Sequence, residues 1–311
     1  MPRNSNSSVA ILMATYNGAK YLQEQLKSIE YQTASNWVLI ISDDGSNDST
    51  IKILRAFQKK MGSRKVLIKK GPNQGFAKNF LSLAIDTSIK ADYFCFADQD
   101  DVWLPNKIQS AIMKAKNIKN VRAPYLYIGR TIYTNKNLDP YGTSKLMSKK
   151  PSFENALIQS IAGGNTMLFN NATKNLLEKI GMVCPTSHDW WLYQIVSGSG
   201  GEIYYDKEPY VLYRQHSGAM IGGNTSFKSK IKRILNVING NFKRWNDKNA
   251  QALIFSRKYL TKKSRNTFDK FNYYKNGSIF KRIYILSKTG VYRQTLTGSA
   301  LILLACIFRK I

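Results

Sequence analysis

Apolar runs of strand length alternate with amphipathic helical patterns over the first hundred residues. Four runs have the near-continuous apolar character of strands that are buried on both faces: Val9–Ala14, Val38–Ile41, Val66–Ile68 and Tyr93–Ala97. The stretches between them carry apolar residues at helical spacing, as with Leu22, Leu26 and Ile29 on one face of the first. This alternation predicts an α/β fold, in which helices cover both faces of a mostly parallel sheet.

The pattern is looser in the second part of the chain. It predicts strands at Tyr125–Tyr133 and Thr166–Phe169, a polar loop at Asn135–Lys150, and a hairpin formed by Ile203–Tyr205 and Tyr210–Tyr213. From about Thr225 onward the pattern is helical, and the predicted helices are Lys228–Val237, Trp245–Tyr259 and a stretch from Ile279 onward. No internal repeat interrupts this order.

Polar residues follow the carboxyl ends of the first four predicted strands. They are Asn17, the pair Asp43 and Asp44, Asn73, and the pair Asp98 and Asp100. Because parallel strands end at the same edge of a sheet, we expect these residues to lie along one rim, where open α/β sheets bind their ligands.

Three carboxylates, Asp98, Asp100 and Asp101, fall within four residues at the end of the fourth strand. Burying such a cluster without counter-charges costs on the order of several kcal/mol. Carboxylate oxygens suit Mg²⁺ or Mn²⁺, which share their remaining positions with water and substrate phosphates. The cluster therefore predicts a divalent cation site. The alternative is an acidic turn that caps a helix beginning near Pro105.

Composition narrows the class of protein. Apolar residues make up 43% of the 311 residues and charged residues 21%, which excludes a disordered chain. The three cysteines, Cys95, Cys184 and Cys306, are too far apart in sequence to suggest a disulfide or metal framework, so a reducing compartment is expected. The N-terminal residues do not form the basic and apolar regions of a signal peptide, and we predict a cytoplasmic protein.

The net charge of +28 is concentrated near the C-terminus. Residues 1–224 carry 27 Lys and Arg against 17 Asp and Glu, a net charge of +10, whereas residues 225–311 carry 20 against 2, a net charge of +18. This asymmetry predicts a domain over residues 1–224 and a separate basic helical segment over 225–311. The segment is expected to meet an anionic partner, either nucleic acid or an acidic membrane surface.

The apolar stretch Leu296–Phe308 lies in this basic segment. A helix that crosses a membrane needs roughly 20 apolar residues, and this stretch is too short. Basic residues on both sides favour a helix that lies in the membrane surface. The alternative is an ordinary C-terminal helix that packs on the core.

Six motifs occur in an order that resembles family 2 glycosyltransferases with the GT-A fold. They are VAILMATYNGAKYLQEQLKSI, ISDDGSNDST, NQGFAKNF, FADQDDVW, SHDWW and LYRQH, and they span residues 8–222. Within that family the chain looks most like bacterial rhamnosyltransferases that build cell-wall, capsule or O-antigen polysaccharides. One departure is Ser217-Gly218-Ala219-Met220, where the family often has a polar, Asn-rich loop.

The resemblance implies an inverting transfer of a sugar from a nucleotide diphosphate to an acceptor hydroxyl, with Mg²⁺ or Mn²⁺. In such families the second Asp of the DDGS motif, here Asp44, bonds the pyrimidine base. The implied donor-binding residues are Thr15, Tyr16, Asn17, Asp44, Lys78, Asp98, Gln99 and Arg214, and the implied metal ligands are Asp100 and His216. Three simpler roles remain open: Asp43 and Asp44 as turn caps, Lys78 as a solvated lysine, and His216 as a packed histidine.

On the acceptor side the resemblance implies that Asp189 is the general base that deprotonates the attacking hydroxyl. The alternative is that Asp189 is only the N-cap of the helix that follows. Gly164, Asn165 and Trp190 are the implied acceptor-binding residues.

The resemblance favours dTDP-L-rhamnose as the donor, with UDP-glucose, UDP-galactose or UDP-GlcNAc as alternatives, and it implies a lipid-linked or growing polysaccharide acceptor at the inner face of the cell membrane.

The sequence also admits two other classes of protein. A nucleic-acid-binding protein would use the basic, aromatic-containing C-terminal segment, but the acidic rim would repel phosphates unless a metal is bound. A nucleotidyltransferase would use paired Asp and Mg²⁺, but the TYNGAK turn lacks the Gly-rich basic loop that suits a triphosphate.

Overall fold

The computed structural model describes residues 7–216, 239–273 and 277–311. Its first part is a series of strand–helix units in the predicted order. The strands are β1 Val9–Thr15, β2 Trp37–Asp43, β3 Val66–Lys70 and β4 Tyr93–Ala97, and the helices between them are α1 Ala19–Glu30, α2 Thr50–Met61 and α3 Phe76–Ile85. All four predicted strands are confirmed.

The second part completes the sheet and its helices. Its elements are β5 Val102–Trp103, α4 Lys107–Ala115, β6 Tyr125–Thr134, β7 Pro140–Thr143, α5 Phe153–Ala156, β8 Leu168–Asn170, α6 Asn171–Ile180, α7 His188–Gly198 and β9 Glu202–Arg214. Among the described residues, nine strands form one sheet in the order β3-β2-β1-β4-β8-β6-β9-β5, with β7 paired to β6. Strands β3, β2, β1 and β4 are parallel, and β8 is antiparallel to β4 and β6. The predicted mixed α/β fold with a mostly parallel sheet is thus confirmed.

The predicted hairpin at Ile203–Tyr205 and Tyr210–Tyr213 is wrong. Both runs belong to β9, a single strand of 13 residues that runs parallel to β6. The pairing register shifts between Ile128 and Thr131, which makes an irregularity in the ladder rather than a turn. The Asp206 carboxylate accepts a hydrogen bond of 3.0 Å from the hydroxyl of Tyr127 on β6, so the polar residues that suggest a turn are held in the sheet.

Smaller differences concern element ends. The strand predicted from Thr166 begins at Leu168, because Gly164–Thr166 forms a 3₁₀ turn. The predicted loop Asn135–Lys150 contains the short strand β7.

Two apolar clusters cover the two faces of the sheet. Along β1, Ala10 and Leu12 belong to one cluster, and Val9, Ile11 and Met13 belong to the other. All five are at most 2% exposed. Burying each large aliphatic side chain contributes about 1.5–3 kcal/mol, so β1 is fixed in the centre of the sheet.

Residues 239–273 and 277–311 contain four α-helices: α8 Asn241–Phe255, α9 Lys262–Tyr273, α10 Ile279–Thr289 and α11 Leu296–Ile307. Helix α9 was not predicted. Phe242, Leu253, Phe268 and Ile302 from these helices join one of the two core clusters. The predicted helix Lys228–Val237 and the predicted boundary at residue 224 lie outside the described residues, and the division into two domains stays a prediction.

Candidate active site

The rim of the sheet is held together by hydrogen bonds between loops that are distant in sequence. The side chain of Gln99 accepts from the backbone N–H of Tyr16 (2.9 Å) and donates to its carbonyl (3.0 Å). A Cβ at Gly18 would lie 2.2 Å from Oε1 of Gln99, so only glycine allows this approach. Asn17 has a positive φ of 47° and its N–H donates to Ser46 Oγ. These bonds join the loops after β1, β2 and β4, as the sequence predicts.

The two carboxylates after β2 organise their neighbourhood. Asp44 is 5% exposed, and its oxygens accept from the backbone N–H groups of Asn73 (2.6 Å) and Gly75 (2.8 Å). Asp43 accepts from Thr15 Oγ1 at 2.8 Å and from the N–H and hydroxyl of Ser46. Asp43 therefore stabilises the turn. The Asp44 carboxylate keeps free lone-pair directions, and its contact with the base stays a prediction.

The acidic cluster after β4 does not cap a helix. Helix α4 begins at Lys107, and Asn106 occupies its N-cap position. Asp101 is fully buried and accepts from Nδ2 of Asn165 and, at 3.4 Å, from the N–H of Arg214. Burial and the charges of Asp98 and Asp100 raise the pKa of Asp101 well above its usual range. A positive counter-charge at the rim would offset the electrostatic cost of burying these carboxylates.

Burial, the charge of Asp100 and the charge of Asp189 together raise the pKa of Asp98 to about 8. Because the charge of Asp189 contributes to this rise and charges act on one another at short range, the carboxylate proposed as the base lies near the DQDD segment, Asp98–Asp101. The geometry thus brings together a donor-side and an acceptor-side residue that lie 91 positions apart.

Asp100 and His216 face each other, with 2.9 Å between Oδ2 and Nε2. Neighbouring ligands of a Mg²⁺ ion with bonds of about 2.1 Å lie about 3 Å apart, so this spacing fits two ligands of one cation. Among the described residues no group of three His, Cys, Asp or Glu side chains is arranged to hold a metal ion. The remaining ligands would therefore be water and donor phosphate oxygens, which is the usual state of Mg²⁺ at phosphate sites.

Arg214 is 2% exposed, and its guanidinium binds the chain around the cluster. Nε donates to the carbonyl of Asp100 (3.0 Å), Nη1 to the carbonyl of Lys136, and Nη2 to the carboxylate of Glu24. The guanidinium carbon lies 4.4 Å from the ring centroid of Tyr21. In this arrangement Arg214 positions the DQDD loop, and the prediction that it binds the donor phosphates stays a prediction.

Sequence reasoning missed Lys107, Glu24 and Tyr21. Lys107 is 4% exposed, its Nζ lies 3.6 Å from the ring centroid of Trp103, and burial lowers its pKa. Its charge opposes the rise in the pKa of Asp98. No local pattern marks a lysine in the first turn of a helix as the counter-charge of a loop six residues upstream.

Helix α7 presents the proposed base. It begins at His188, so Ser187 is the N-cap residue and Asp189 lies in the first turn. The alternative that Asp189 is the N-cap is therefore wrong. Its Oδ1 accepts from the hydroxyl of Ser187 and from the N–H of Trp190 (2.6 Å). The positive end of the helix dipole favours the ionised carboxylate, which is the form that a base requires.

Gly164 lies directly against His188. A Cβ at Gly164 would lie 2.3 Å from Nε2 of His188, so glycine is required there. Neither ring nitrogen of His188 has a partner among the described residues, and burial lowers the pKa of His188 to about 4. This histidine is therefore neutral, and it stacks on Phe80 at 4.1 Å between ring centroids.

The other predicted acceptor residues are buried. Asn165 is 3% exposed and holds Asp101. Trp190 is 6% exposed, and its indole N–H donates to the carbonyl of Ala156 at 2.7 Å, so here it is a core residue. Stacking on a sugar requires a shift of α5 or α7, and the acceptor role of Trp190 stays a prediction. Lys78, by contrast, is partly exposed and donates to Oε1 of Gln74.

Comparison with known protein families gives a match in the N-terminal part of the chain. The model of the family described as "Glycosyl transferase family 2" matches residues 10–177, which contain the DDGS and DQDD segments. The chain belongs to this family. It is therefore a glycosyltransferase, and the matched residues end before Asp189.

The names of two relatives specify different sugars. The chain is 33% identical over 262 residues to the dTDP-rhamnosyl transferase RfbG of Shigella flexneri, covering 78% of this chain and 84% of that protein. It is also 30% identical over 138 residues to the UDP-Glc:alpha-D-GlcNAc-diphosphoundecaprenol beta-1,3-glucosyltransferase WfgD of Escherichia coli, covering 42% of this chain and 51% of the relative.

Solved structures agree on the fold. S. aureus TarS 1-349 in complex with UDP-GlcNAc superposes with a TM-score of 0.54 at 14% identity, covering 91% of this chain and 80% of that one. The mannosyltransferase PcManGT of Pyrobaculum calidifontis, in complex with GDP-Man and Mn²⁺, gives a TM-score of 0.52 at 14% identity, with coverages of 99% and 86%. At this identity the likeness concerns the fold.

Proposed function

We propose that this glycosyltransferase moves L-rhamnose from dTDP-L-rhamnose to a hydroxyl of a lipid-linked or growing polysaccharide, with inversion at the anomeric carbon. The observation that carries the proposal is the meeting of Asp98, Asp100 and Asp189 at one rim, where Asp100 faces His216. The likeness to a dTDP-rhamnosyl transferase over most of the chain supports the choice of sugar. UDP-hexoses remain the alternative donors.

The rim forms the donor-binding side of the proposed active site. The nucleotide base lies between the loop of Thr15 to Asn17 and the carboxylate of Asp44. Gln99 fixes the backbone of Tyr16, whose ring is 56% exposed and free to cover the base. Lys78 lies in the first turn of α3, directly after the loop that follows β3, and would leave Gln74 to extend toward the phosphates.

On the acceptor side, Asp189 removes the proton of the attacking hydroxyl as that oxygen approaches the anomeric carbon. Because a single displacement inverts the centre, one base is enough and no covalent intermediate forms. Ser187 and the N–H of Trp190 hold Oδ1 of Asp189, which aims the carboxylate.

A divalent cation fits the pair of Asp100 and His216. It would neutralise charge on the departing diphosphate. Arg214 holds the DQDD segment through the carbonyl of Asp100, and the charge of Lys107 opposes the rise in the pKa of Asp98.

Docking on an anionic membrane at its cytoplasmic face would bring this site to a lipid-linked acceptor. No helix among the described residues is long and apolar enough to cross a membrane. Helix α11 buries Ile302 and Cys306 against the protein, whereas Leu303, Leu304 and Phe308 are 43%, 49% and 67% exposed. This outer face suits the surface of a bilayer.

Donor choice is tested by thermal shift with dTDP-rhamnose, UDP-glucose, UDP-galactose, UDP-GlcNAc and GDP-mannose, each with and without Mn²⁺. A ligand that binds only the folded protein stabilises it and so raises its melting temperature. At a ligand concentration of a hundred times the Kd, the free energy of unfolding rises by about 2.7 kcal/mol. We expect the largest, Mn²⁺-dependent shift with dTDP-rhamnose. A larger shift with a UDP-hexose would replace dTDP-rhamnose as the proposed donor, and no shift with any of the five nucleotide sugars would overturn the proposed donor site at the rim.

Membrane docking is tested by the double substitution Leu303→Ser and Leu304→Ser. Deleting the whole helix would also remove buried Ile302, so the exposed pair is the cleaner target. We expect at least roughly tenfold weaker partitioning to anionic vesicles, since each removed side chain loses about 1.5–3 kcal/mol of apolar burial. The matched control is Val121→Ser, an exposed apolar residue in a loop of the N-terminal part. Equal partitioning of both variants and the parent would exclude α11 as the contact.

A further inference from the structure

A cleft of about 620 Å³ lies between α9 and α10 and shares no residue with the rim. Three lysines line it: Lys263 and Lys270 from α9, and Lys288 from α10. Asn266 adds an amide to the same walls, whereas the phenol of Tyr292, which also lines the cleft, donates to the carbonyl of Lys150. Such a set of donors suits an anion with several oxygen atoms.

Glu154 is the one carboxylate among the residues that line the cleft. Its Oε1 lies 3.5 Å from Nζ of Lys263, so one lysine is offset and two positive charges remain in excess. The opening is therefore cationic within a segment that already carries a net charge of +18.

An aromatic stripe leads along α10 to this cleft. Phe280, Tyr284 and Lys288 are spaced four residues apart and so share one helix face. Phe280 is 83% exposed and Tyr284 63% exposed, and Nζ of Lys288 lies 5.4 Å from the ring centroid of Tyr284. The two exposed aromatic side chains thus lie next to the cationic cleft, and an amphipathic ligand requires such an arrangement.

We propose that this cleft binds the phosphate headgroup of an anionic lipid while Phe280 and Tyr284 enter the acyl boundary. This inference rests on the proposed membrane docking, and it assigns the cleft as the site that makes the docking selective for anionic lipids. Helix α11, which packs beside α10, also exposes apolar side chains.

The position of the cleft relates the lipid to the catalytic helix. Glu154 belongs to α5, and the carbonyl of Ala156 in that helix accepts the indole N–H of Trp190 on α7. Packed helices lie about 8–10 Å apart. A headgroup in the cleft would therefore hold the helix that carries Asp189 close to the bilayer.

The test compares two triple variants with the same loss of charge. The first replaces the cleft lysines with glutamine: Lys263→Gln, Lys270→Gln and Lys288→Gln. The control replaces three exposed lysines of the same segment that do not line the cleft: Lys248→Gln, Lys258→Gln and Lys262→Gln. Binding is measured by flotation with phosphatidylcholine vesicles that contain or lack phosphatidylglycerol, after thermal melts show that both variants are folded.

We expect the cleft variant to bind phosphatidylglycerol vesicles at least about tenfold more weakly than the parent, since a basic residue at the surface contributes about 1 kcal/mol. The control should change about twofold or less, because its charges lie outside the site and are screened over about 8 Å. Glu154→Gln should act in the opposite direction and strengthen binding about two- to threefold by freeing Lys263.

Equal losses in the two triple variants would overturn the headgroup site and leave a diffuse electrostatic attraction. Unchanged binding of the cleft variant would overturn it as well. A parent protein that floats with neither kind of vesicle would reject both the cleft and the proposed membrane docking, whereas donor binding, measured in solution, would stand or fall separately.

Discussion

Replacing Asp189 with asparagine is expected to lower turnover by roughly 10²–10⁴-fold, which is the range that a positioned base contributes. The variant keeps an oxygen that can accept from Ser187 and from the N–H of Trp190, so α7 should begin as it does now. What is lost is the basic oxygen that we propose takes the proton of the acceptor. Steady-state kinetics with saturating donor and acceptor measure the effect, and calorimetric titration of the donor should give a Kd close to that of the parent.

The matched control is Asp247→Asn on α8, whose carboxylate pairs with Lys243 at the surface. It removes the same charge and should leave turnover unchanged. Turnover at the parent rate in Asp189→Asn would show that another group deprotonates the acceptor. A fall in both variants would point to general destabilisation.

Replacing Asp100 with alanine is expected to weaken Mn²⁺ binding at least roughly tenfold and to lower kcat/KM by roughly 10²–10³. Removing this carboxylate leaves His216 as the only other predicted protein ligand, with its partner gone. Several kcal/mol of charge stabilisation on the departing diphosphate are then lost. Electron paramagnetic resonance of Mn²⁺ measures the affinity independently of turnover, and His216→Ala should shift it in the same direction.

Asp247→Asn is again the control, since its carboxylate pairs with Lys243 on the surface of α8. Its Mn²⁺ titration should match that of the parent. If Asp100→Ala binds Mn²⁺ as tightly as the parent, the cation lies elsewhere. If affinity falls but turnover does not, transfer proceeds without the cation.

The sequence predicts the first half of the fold well because each step is local. Each strand from β1 to β4 is short and contains an apolar run, and parallel strands leave their polar ends at one edge. The meeting of Asn17, Asp44, Asn73 and Asp98 follows from that rule alone. The hydrogen bonds of Asp44 to Asn73 and Gly75 then confirm that the loops touch.

Long-range contacts explain what the sequence did not predict. The segment around Asp206 has the composition of a turn, but the Tyr127 hydroxyl on another strand satisfies its carboxylate and β9 continues. Arg214 resembles a phosphate ligand in sequence, whereas three carbonyl and carboxylate partners from separate segments surround it in the fold. Trp190 likewise looks available until α5 provides the carbonyl that takes its indole N–H.

The C-terminal helices show a mixed outcome. Helix α11 was expected either to lie in the membrane surface or to pack on the core, and one face of it does pack on the core. Helix α9 was missed because Lys, Arg and Asn dominate Lys262–Tyr273, and its buried side consists of few residues, among them Phe268 and Phe271.

The double hydrogen bond from Asn73 and Gly75 to Asp44 has a consequence for altering the nucleotide preference of this enzyme. A substitution at position 44 made to accept a different base would also remove the acceptor of two backbone N–H groups in the exposed loop after β3, and a hydrogen bond of this kind contributes about 0.5–1.5 kcal/mol. With the proposed base contact of Asp44, ligand preference and local stability are coupled through one carboxylate. A redesign for a purine donor would have to rebuild the loop after β3 together with the base contact.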